Sequence, residues 1–227
     1  MHPADHPGPL VFVDDLDEPV LADDDRHHLE RVLRVRRGEP LTIADGHGRW
    51  RPARLGAEPE PTGRVEEEPA PEPPLTIGFA LVKGDKPEVV VQKLTELGID
   101  RIVPFRAARS VVRWDDAKAV KAVARLRLVA RAAAMQCHRP RLPVVEDVAD
   151  FATLAARPGA ALADRTGGPP SLAQPVVLVG PEGGWAPEEA ALPIGRVALG
   201  PHVLRAETAA ITVSALLTAL RSNLFAR

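Results

Sequence analysis

The sequence contains a single cysteine and no long hydrophobic run. Cys137 cannot form a disulfide within the chain, and a zinc site built from several thiolates is excluded. The first residues lack the basic-then-apolar order of a signal peptide. The longest strongly apolar stretch without charges, residues 208–220, is too short to cross a bilayer. These features predict a reduced, soluble, cytoplasmic protein that does not associate with membranes.

Several common motifs of catalysis and nucleotide binding are also missing. No G-x-x-x-x-G-K-[ST] segment occurs, so a P-loop nucleotide site is not expected. Gly46 and Gly48 lack the third glycine of a dinucleotide-binding fingerprint. The seven histidines are scattered and no H-E-x-x-H segment occurs, which argues against a metal site. Ser171 and Ser214 stand in no nucleophile-elbow context.

Charge is unevenly distributed along the chain, although the formal net charge is only −2. Residues 101–145 contain eleven basic and two acidic residues, a net charge of +9, so the rest of the chain carries −11. Clustered basic residues favour a polyanionic partner because they release condensed counterions when they contact phosphates. The alternative is a solvated helix face whose basic residues pair with acidic residues elsewhere in the fold.

A segment rich in proline and glutamate divides the chain into two predicted domains. Residues 58–74 contain six Pro, six Glu and one Arg, a composition typical of an extended, semi-rigid connector. Residues 63–67 could still form a last strand of the first domain. We therefore predict one domain over residues 1–72 and a larger one over residues 73–227.

The first domain is predicted to consist mainly of short strands. Turn residues separate the strand candidates, which are residues 10–13, 20–21, 41–44 and 49–55. One helix interrupts them, with Asp24 or Asp25 as its cap and an apolar stripe of Leu29, Val32 and Leu33. This pattern favours a small β-barrel with a basic edge.

The second domain alternates between strand and helix patterns. Its strand candidates are residues 75–81, 99–105, 160–163, 176–179 and 197–199. A helix with Asp85 as its cap is expected to end at Gly98, a long alanine-rich helix covers residues 116–136, and a last helix starts near Ala206. Such alternation predicts a parallel sheet covered by helices on both faces.

Two loops of this domain contain glycine and proline directly after a predicted strand. The first is Gly-Pro-Glu-Gly-Gly at residues 180–184, and the second covers residues 199–209. In open α/β sheets, ligands bind beyond the carboxyl ends of the strands, where both loops would lie. Glycine allows close approach of a ligand to the backbone, and proline stiffens the turn. Together the loops predict a shared pocket.

These loops and four other segments resemble those of the RsmE family. Members of this family are 16S ribosomal RNA uridine-N3 methyltransferases of the SPOUT superfamily. In the second loop, the matching residues are Leu-Gly-Pro at 199–201, Val-Leu-Arg at 203–205 and Glu-Thr-Ala at 207–209. The supporting segments are residues 28–38, 92–98, 109–112 and 136–143. The resemblance covers nearly the whole chain.

The resemblance implies an α/β fold, with an N-terminal PUA-like β-barrel and then a SPOUT-type domain with a C-terminal trefoil knot. The barrel, residues 1–72, is expected to bind RNA, and residues 73–227 to bind S-adenosylmethionine and catalyse methyl transfer. The implied substrate is N3 of a specific uridine in 16S rRNA, within the small ribosomal subunit, and the implied assembly is a homodimer. The alternatives are a catalytically silent RNA-binding ribosome-assembly factor and a SPOUT methyltransferase that acts on another RNA.

The resemblance implies the cofactor contacts, and the position of Arg205 and Glu207 beside the second loop and the distribution of basic residues suggest the other site residues. The cofactor contacts are expected from Val179, Gly180, Pro181, Glu182, Gly183, Leu199, Gly200, Val203, Leu204, Thr208 and Ala209. Arg205 is expected to stabilise charge on the uracil oxygens or the adjoining phosphate, and Glu207 to orient it or to assist proton removal. Alternatively, an Arg205–Glu207 ion pair merely shapes the turn. The expected RNA contacts are Arg31, Arg34, Arg37, Arg109, Arg113, Lys121, Arg125 and Arg139.

Some positions depart from the family pattern. An arginine that is usual near the start of the barrel is missing around Pro9 and Leu10. Glutamates are usual where Ala108 and Met135 stand, and a small residue is common in place of His138. These positions concern the RNA contacts more than the cofactor site.

Overall fold

The structure, a computed structural model, describes residues 2–82 and 86–224, which divide into two units. Unit 1 contains the residues up to 70 together with residues 131–142, and unit 2 contains residues 71–130 and those from 143 onward. Residues 131–142 thus pack in the first unit, although the predicted boundary places them in the second domain. The expected helix cap at Asp85 lies outside the described residues.

Unit 1 is built on a five-stranded sheet with the order β1-β2-β3-β4, in which β5 also pairs with β3. Its strands are β1 (Leu10–Phe12), β2 (Pro40–Ala44), β3 (Arg49–Leu55), β4 (Pro59–Pro61) and β5 (Glu66–Glu67). Successive side chains of a strand point to opposite faces, so Leu10 and Phe12 pack in one apolar cluster and Val11 in another. Both faces of the sheet are therefore covered.

One strand prediction for unit 1 is wrong, because residues 20–21 form no strand. In the proline-rich segment, β5 lies within residues 63–67, the possible last strand of this domain, and pairs with residues 49–50 of β3. The segment also contains β4, which was not predicted and which pairs with residues 53–55. Its backbone groups therefore extend the sheet despite the unfavourable composition.

The helix of unit 1 also differs from its prediction. It consists of α1 (Asp23–His27) followed by a π-helical turn, His28–Val32. Ala22 occupies the N-cap position, so neither predicted aspartate caps the helix. Leu29 is buried, but Val32 is 60% exposed and Leu33 is 48% exposed, so the predicted stripe does not face the core.

Unit 2 contains a seven-stranded sheet in which every described strand pair is parallel. The strands are β6 (Thr76–Ala80), β7 (Arg101–Arg106), β8 (Val144–Val145), β9 (Ala149–Asp150), β10 (Ala160–Gly168), β11 (Val176–Val179) and β12 (Gly195–Val197). Their order is β12-β10-β11-β6-β7-β8, and β9 also pairs with β7.

The helices of unit 2 cover the two faces of this sheet. The remaining α-helices of the described residues are α2 (Lys86–Glu96), α3 (Asp116–Gln136), α4 (Phe151–Ala155), α5 (Pro187–Ala190) and α6 (Ala206–Arg221), and unit 1 also has a short 3-10 helix, Pro3–Asp5. Leu94 of α2, Leu126 of α3 and Val213 of α6 share one apolar cluster with Ile77 of β6. Phe151 of α4 packs in a second cluster. The predicted α/β class and parallel sheet are confirmed.

Within the described residues, no helix has the length and apolarity needed to span a membrane.

Candidate functional site

A cavity of about 500 Å³ opens in unit 2 beyond the carboxyl end of β11 and alongside residues 163–166 of β10. This volume is typical of a small-molecule site. Nine of the eleven predicted cofactor-binding residues line it, namely Val179, Gly180, Pro181, Glu182, Leu199, Gly200, Val203, Leu204 and Ala209. The other two, Gly183 and Thr208, adjoin the lining residues in the chain. The two loops therefore form one pocket, as their position after the strands suggests.

Two glycines of the pocket occupy positions that a side chain would disturb. At Gly180, an added Cβ would lie 3.0 Å from Cε2 of Trp185, so the indole ring would have to shift by a few tenths of an ångström to admit a side chain. Gly200 has a φ of +140°, which L-residues with a side chain rarely adopt. The backbone of both loops is thereby open to a close approach from the cavity side.

Trp185 anchors the first loop to the end of the neighbouring strand. Its Nε1 donates a hydrogen bond to the carbonyl oxygen of Ala163 over 3.1 Å. Its ring stacks on Phe105 with an interplanar angle of 8° and a centroid distance of 6.3 Å, and contacts Phe151 at 5.5 Å. Since Trp185 also lines the cavity, this packing fixes part of the cavity wall.

The cavity wall carries both acidic and basic side chains. Asp164 accepts hydrogen bonds from the side-chain hydroxyl and the backbone N–H of Thr166, at 2.7 and 2.8 Å, and these bonds lower the pKa of its carboxyl group. Glu182 and Arg165 also line the cavity. Asp164 and Glu182 are also paired with Arg196 and Lys86, so the described part of the wall has little net charge and lacks the cluster of basic groups that a polyphosphate requires.

Lys86, which no motif identified, links the two loops of the site. Its Nζ lies 3.5 Å from a carboxylate oxygen of Glu182 in the first loop and 3.2 Å from one of Glu207 at the start of α6. Burial raises the pKa of the Glu207 carboxyl, but its own backbone N–H, Lys86 and Arg205 together lower it below its usual value. Glu207 is therefore an anion held by Lys86.

The two predicted catalytic residues are neighbours at the start of α6 but have different surroundings. Arg205 is the exposed N-cap residue of the helix, and its side chain makes no capping hydrogen bond. Glu207 is mostly buried and pairs with Lys86. In the part of the chain that the structure covers, Arg205 forms no ion pair with Glu207 and influences it only through charge.

The residues predicted to bind RNA fall in both units. Arg31, Arg34 and Arg37 are exposed residues of unit 1, on the π-helical turn and just beyond it. In unit 2, Arg113 and Lys121 are exposed. The exposed Arg109 also reaches the glycine loop, because its Nη1 donates to the carbonyl oxygen of Gly183 over 3.3 Å.

The side chains of the other two predicted contacts, Arg125 and Arg139, are less accessible to RNA. Arg125 pairs with Glu88, and the hydrogen bonds from its guanidinium lower the pKa of that carboxyl. Arg139 is half-buried in unit 1.

Much of the basic segment at residues 101–145 is neutralised inside its own unit. The acid–base pairs are Arg101–Glu146, Arg106–Asp150, Arg125–Glu88, Arg127–Asp147 and Arg131–Asp25. Among residues 2–82 and 86–224, no acidic side chain pairs with Arg109, Arg113, Lys118 or Lys121. The excess of positive charge available to a partner is therefore smaller than the sequence suggests.

Within the described ranges, no group of three or more His, Cys, Asp or Glu side chains is arranged to hold a metal ion.

Comparison with known proteins identifies the family. A model of the RNA methyltransferase domain matches residues 68–218. The protein named ribosomal RNA small subunit methyltransferase E from Mycobacterium bovis is 36% identical, and the match covers 88% of this chain and 87% of that protein. The protein of the same name from Bacillus subtilis is 31% identical over 81% of this chain and 82% of its own length.

Two solved structures of relatives contain S-adenosylmethionine. The ribosomal RNA small subunit methyltransferase E from Neisseria gonorrhoeae, bound to S-adenosylmethionine, has a TM-score of 0.76 and 27% identity, covering 93% of this chain and 97% of that one. A putative methyltransferase from Legionella pneumophila with the same bound cofactor has a TM-score of 0.77 and 26% identity, with the same coverage. The chain therefore belongs to the ribosomal RNA small subunit methyltransferase E family, the RsmE family that its motifs resemble.

Proposed function

We propose that this chain transfers a methyl group from S-adenosylmethionine to N3 of a uridine in the 16S rRNA of the small ribosomal subunit. The observation that carries the proposal is the single cavity that the two glycine loops form beyond the sheet. Two relatives of similar fold are described as bound to the same cofactor.

The residues of the cavity fit this cofactor in size and charge. When bound, S-adenosylmethionine supplies a methyl group carried on a cationic sulfonium. The described lining side chains include no cluster of basic residues, and none is needed because the cofactor has no phosphate. Glycine and proline backbone at residues 180–182 and 199–204 offers fixed donors and acceptors to its polar groups.

Arg205 is our candidate for stabilising the transition state. Uridine N3 carries a weakly acidic imide proton, and its removal leaves negative charge that spreads to the uracil oxygens. An exposed guanidinium beside the cavity can donate hydrogen bonds to those oxygens or to the adjoining phosphate. Glu207 has a lowered pKa and is a weak base, so we assign it the positioning of Lys86 and the loops rather than proton removal.

The RNA substrate must present an unstacked uridine, because base pairing would occupy N3. Arg109, Arg113 and Lys121 are exposed and suited to phosphate contacts near the site. Arg31, Arg34 and Arg37 offer the same chemistry on unit 1. We propose Arg125 and Arg139 as further RNA contacts. Because Arg125 is paired with Glu88, it has to give up part of that ion pair to contact a phosphate.

We infer the remaining architecture from family membership. The sheet of unit 1 would be a PUA-like barrel that binds RNA over residues 1–72, and residues 73–227 would form the SPOUT catalytic domain with a C-terminal trefoil knot. The enzyme would act as a cytoplasmic homodimer.

Two measurements test the proposed function. Titration calorimetry with S-adenosylmethionine is expected to give saturable binding, and mass spectrometry is expected to find the methylated uridine N3 only in cells that carry the gene. A chain that binds RNA but not the cofactor would be a silent assembly factor. If the methylated position lies in a transfer RNA or elsewhere in ribosomal RNA, the chain is a methyltransferase with a different RNA substrate.

We expect replacement of Lys86 by methionine to weaken S-adenosylmethionine binding by about 5-fold, the equivalent of about 1 kcal/mol. Without the ammonium group, Glu182 and Glu207 repel each other, and the two loops lose their link. Calorimetry of the full-length variant measures the loss.

Lys93 provides a matched control on the same helix. Its Nζ pairs with Glu96 within α2 at 2.8 Å, away from the loops. Lys93→Met is therefore expected to keep wild-type affinity, and Lys86→Arg to restore most of it. Equal affinities for Lys86→Met and Lys93→Met would contradict the role of Lys86.

A further inference from the structure

Unit 2 contains a second cavity, of about 400 Å³, that is separate from the cofactor pocket. Val82 and Leu126 contribute buried apolar side chains to it, and Trp114 contributes a half-buried indole ring. Lys118 and Arg125 of α3 line it with positive charge. An aromatic plane, an apolar floor and two cations are therefore combined in one concave surface.

The two cations differ in how strongly they are held. The side chain of Lys118 is exposed, and no acidic group pairs with it among the residues that the structure covers. Arg125 is 68% exposed and pairs with Glu88, which also lines the cavity. An anionic ligand would find Lys118 available and would compete with Glu88 for Arg125.

The second cavity adjoins the cofactor site through two segments. In α2, Lys86 contacts Glu182 and Glu207 of the cofactor site, whereas the next residues, Pro87 and Glu88, line the second cavity. Residues 109–114 form the other link, since Arg109 donates to Gly183 of the glycine loop. The Cα atom of Trp114 lies within about 18 Å of that of Arg109, because five residues of extended chain span no more than this.

We propose that the second cavity binds an unstacked nucleobase of a single-stranded RNA segment that flanks the target uridine. Trp114 would stack on the base, and Lys118 and Arg125 would contact its phosphates. Stacking on an aromatic ring accepts any base, and single-stranded RNA exposes the base faces that a duplex hides. The inference rests on the proposed function, because it assumes an RNA substrate at the neighbouring site.

Trp114 is the first residue to test. The Trp114→Ala variant of the full-length protein is expected to bind labelled oligouridylate about 5- to 100-fold more weakly, measured by fluorescence anisotropy without cofactor. Trp114→Phe is expected to retain most of the affinity because it keeps a ring. Val120→Ala, at an exposed position of α3 that does not line the cavity, serves as the matched control.

The charged residues give an independent test. Lys118→Met is expected to lower the dependence of log affinity on log salt by about 0.7, the value for one lost contact to a single strand. Glu88→Gln is expected to raise the affinity for oligouridylate, because it frees Arg125 and removes a negative charge that faces the phosphates. Glu96→Gln, which alters the Lys93 pair on the same helix, is expected to change neither quantity.

These outcomes separate the inference from the proposed function. Wild-type RNA affinity in both Trp114→Ala and Glu88→Gln would overturn the inference, even if the enzyme binds S-adenosylmethionine. A changed sedimentation coefficient for Trp114→Phe would also overturn it, because the cavity would then be an interface between copies. Failure of the wild-type chain to bind the cofactor would contradict the proposed function and leave the RNA measurements to be judged separately.

Discussion

The Arg205→Ala variant is expected to lose about 10²- to 10³-fold in the rate of methyl transfer while its affinity for S-adenosylmethionine stays at the wild-type value. Arg205 is exposed beside the cavity and is not itself one of its lining residues. We therefore propose that its guanidinium stabilises the charge that develops on the uracil and does not hold the cofactor. Single-turnover kinetics on the rRNA segment that the enzyme methylates measure the rate. Titration calorimetry measures the affinity for S-adenosylmethionine.

The structure also predicts that this substitution leaves the fold intact. The Arg205 side chain makes no hydrogen bond that caps α6, so alanine removes no support from the first turn of the helix. The thermal midpoint is expected to match that of the wild type, and Arg205→Lys is expected to recover part of the rate by keeping the charge. A loss of rate matched by an equal loss of cofactor affinity would assign Arg205 to cofactor binding, and an unchanged rate would remove it from the mechanism.

The cavity beyond the sheet was largely predictable because the two loops that line it are continuous in the sequence. Each loop follows a strand candidate, and parallel strands bring their carboxyl ends to the same edge of the sheet. The same rule applied to the candidate at residues 160–163 would have included Asp164 and Thr166, which line the cavity. Lys86 could not be found in this way, because 121 positions separate it from Glu207 and only the packing of α2 joins them.

The fold followed the sequence where patterns were long and internally consistent. The boundaries of α3, β3 and β11 match the predicted ones, since each pattern runs uninterrupted between clear end signals. Composition misled at residues 59–61, where strand pairing with β3 outweighs a low intrinsic preference for strands. Val32 and Leu33 have helical spacing, but spacing alone does not show which face meets the core.

The number of basic residues in the segment 101–145 overestimates how many are available to bind RNA, because several of them form ion pairs within the fold. A count of basic residues treats Arg127 and Arg131 as equal, although Arg127 pairs with Asp147 near the surface and Arg131 with a buried aspartate. Sequence separation hides such pairs, because the acid lies 20 residues away in one case and 106 in the other. The Arg131 pair is therefore a structural element of unit 1.

Replacing Arg131 with methionine is expected to lower the free energy of unfolding by about 3 kcal/mol. Arg131 donates to both carboxylate oxygens of Asp25 at 2.7 Å, and to the backbone carbonyl of Phe12 at 3.2 Å. Its guanidinium also lies 5.4 Å from the centre of the Phe12 ring. Asp25 is only 6% exposed, so the variant leaves a buried carboxylate without its cation, whose desolvation then opposes folding.

Urea denaturation of the full-length variants, followed by circular dichroism, measures this effect. Arg64 offers the matched control in the same unit, because its side chain is 86% exposed and its pair with Glu66 lies in solvent. Arg64→Met is expected to unfold at nearly the wild-type urea concentration, since screened surface pairs contribute little. The double variant Asp25→Leu/Arg131→Met is expected to be more stable than Arg131→Met alone, because it removes the unpaired charge. If Arg131→Met were as stable as Arg64→Met, the pair would not hold the last turns of α3 in unit 1, and its burial would be incidental.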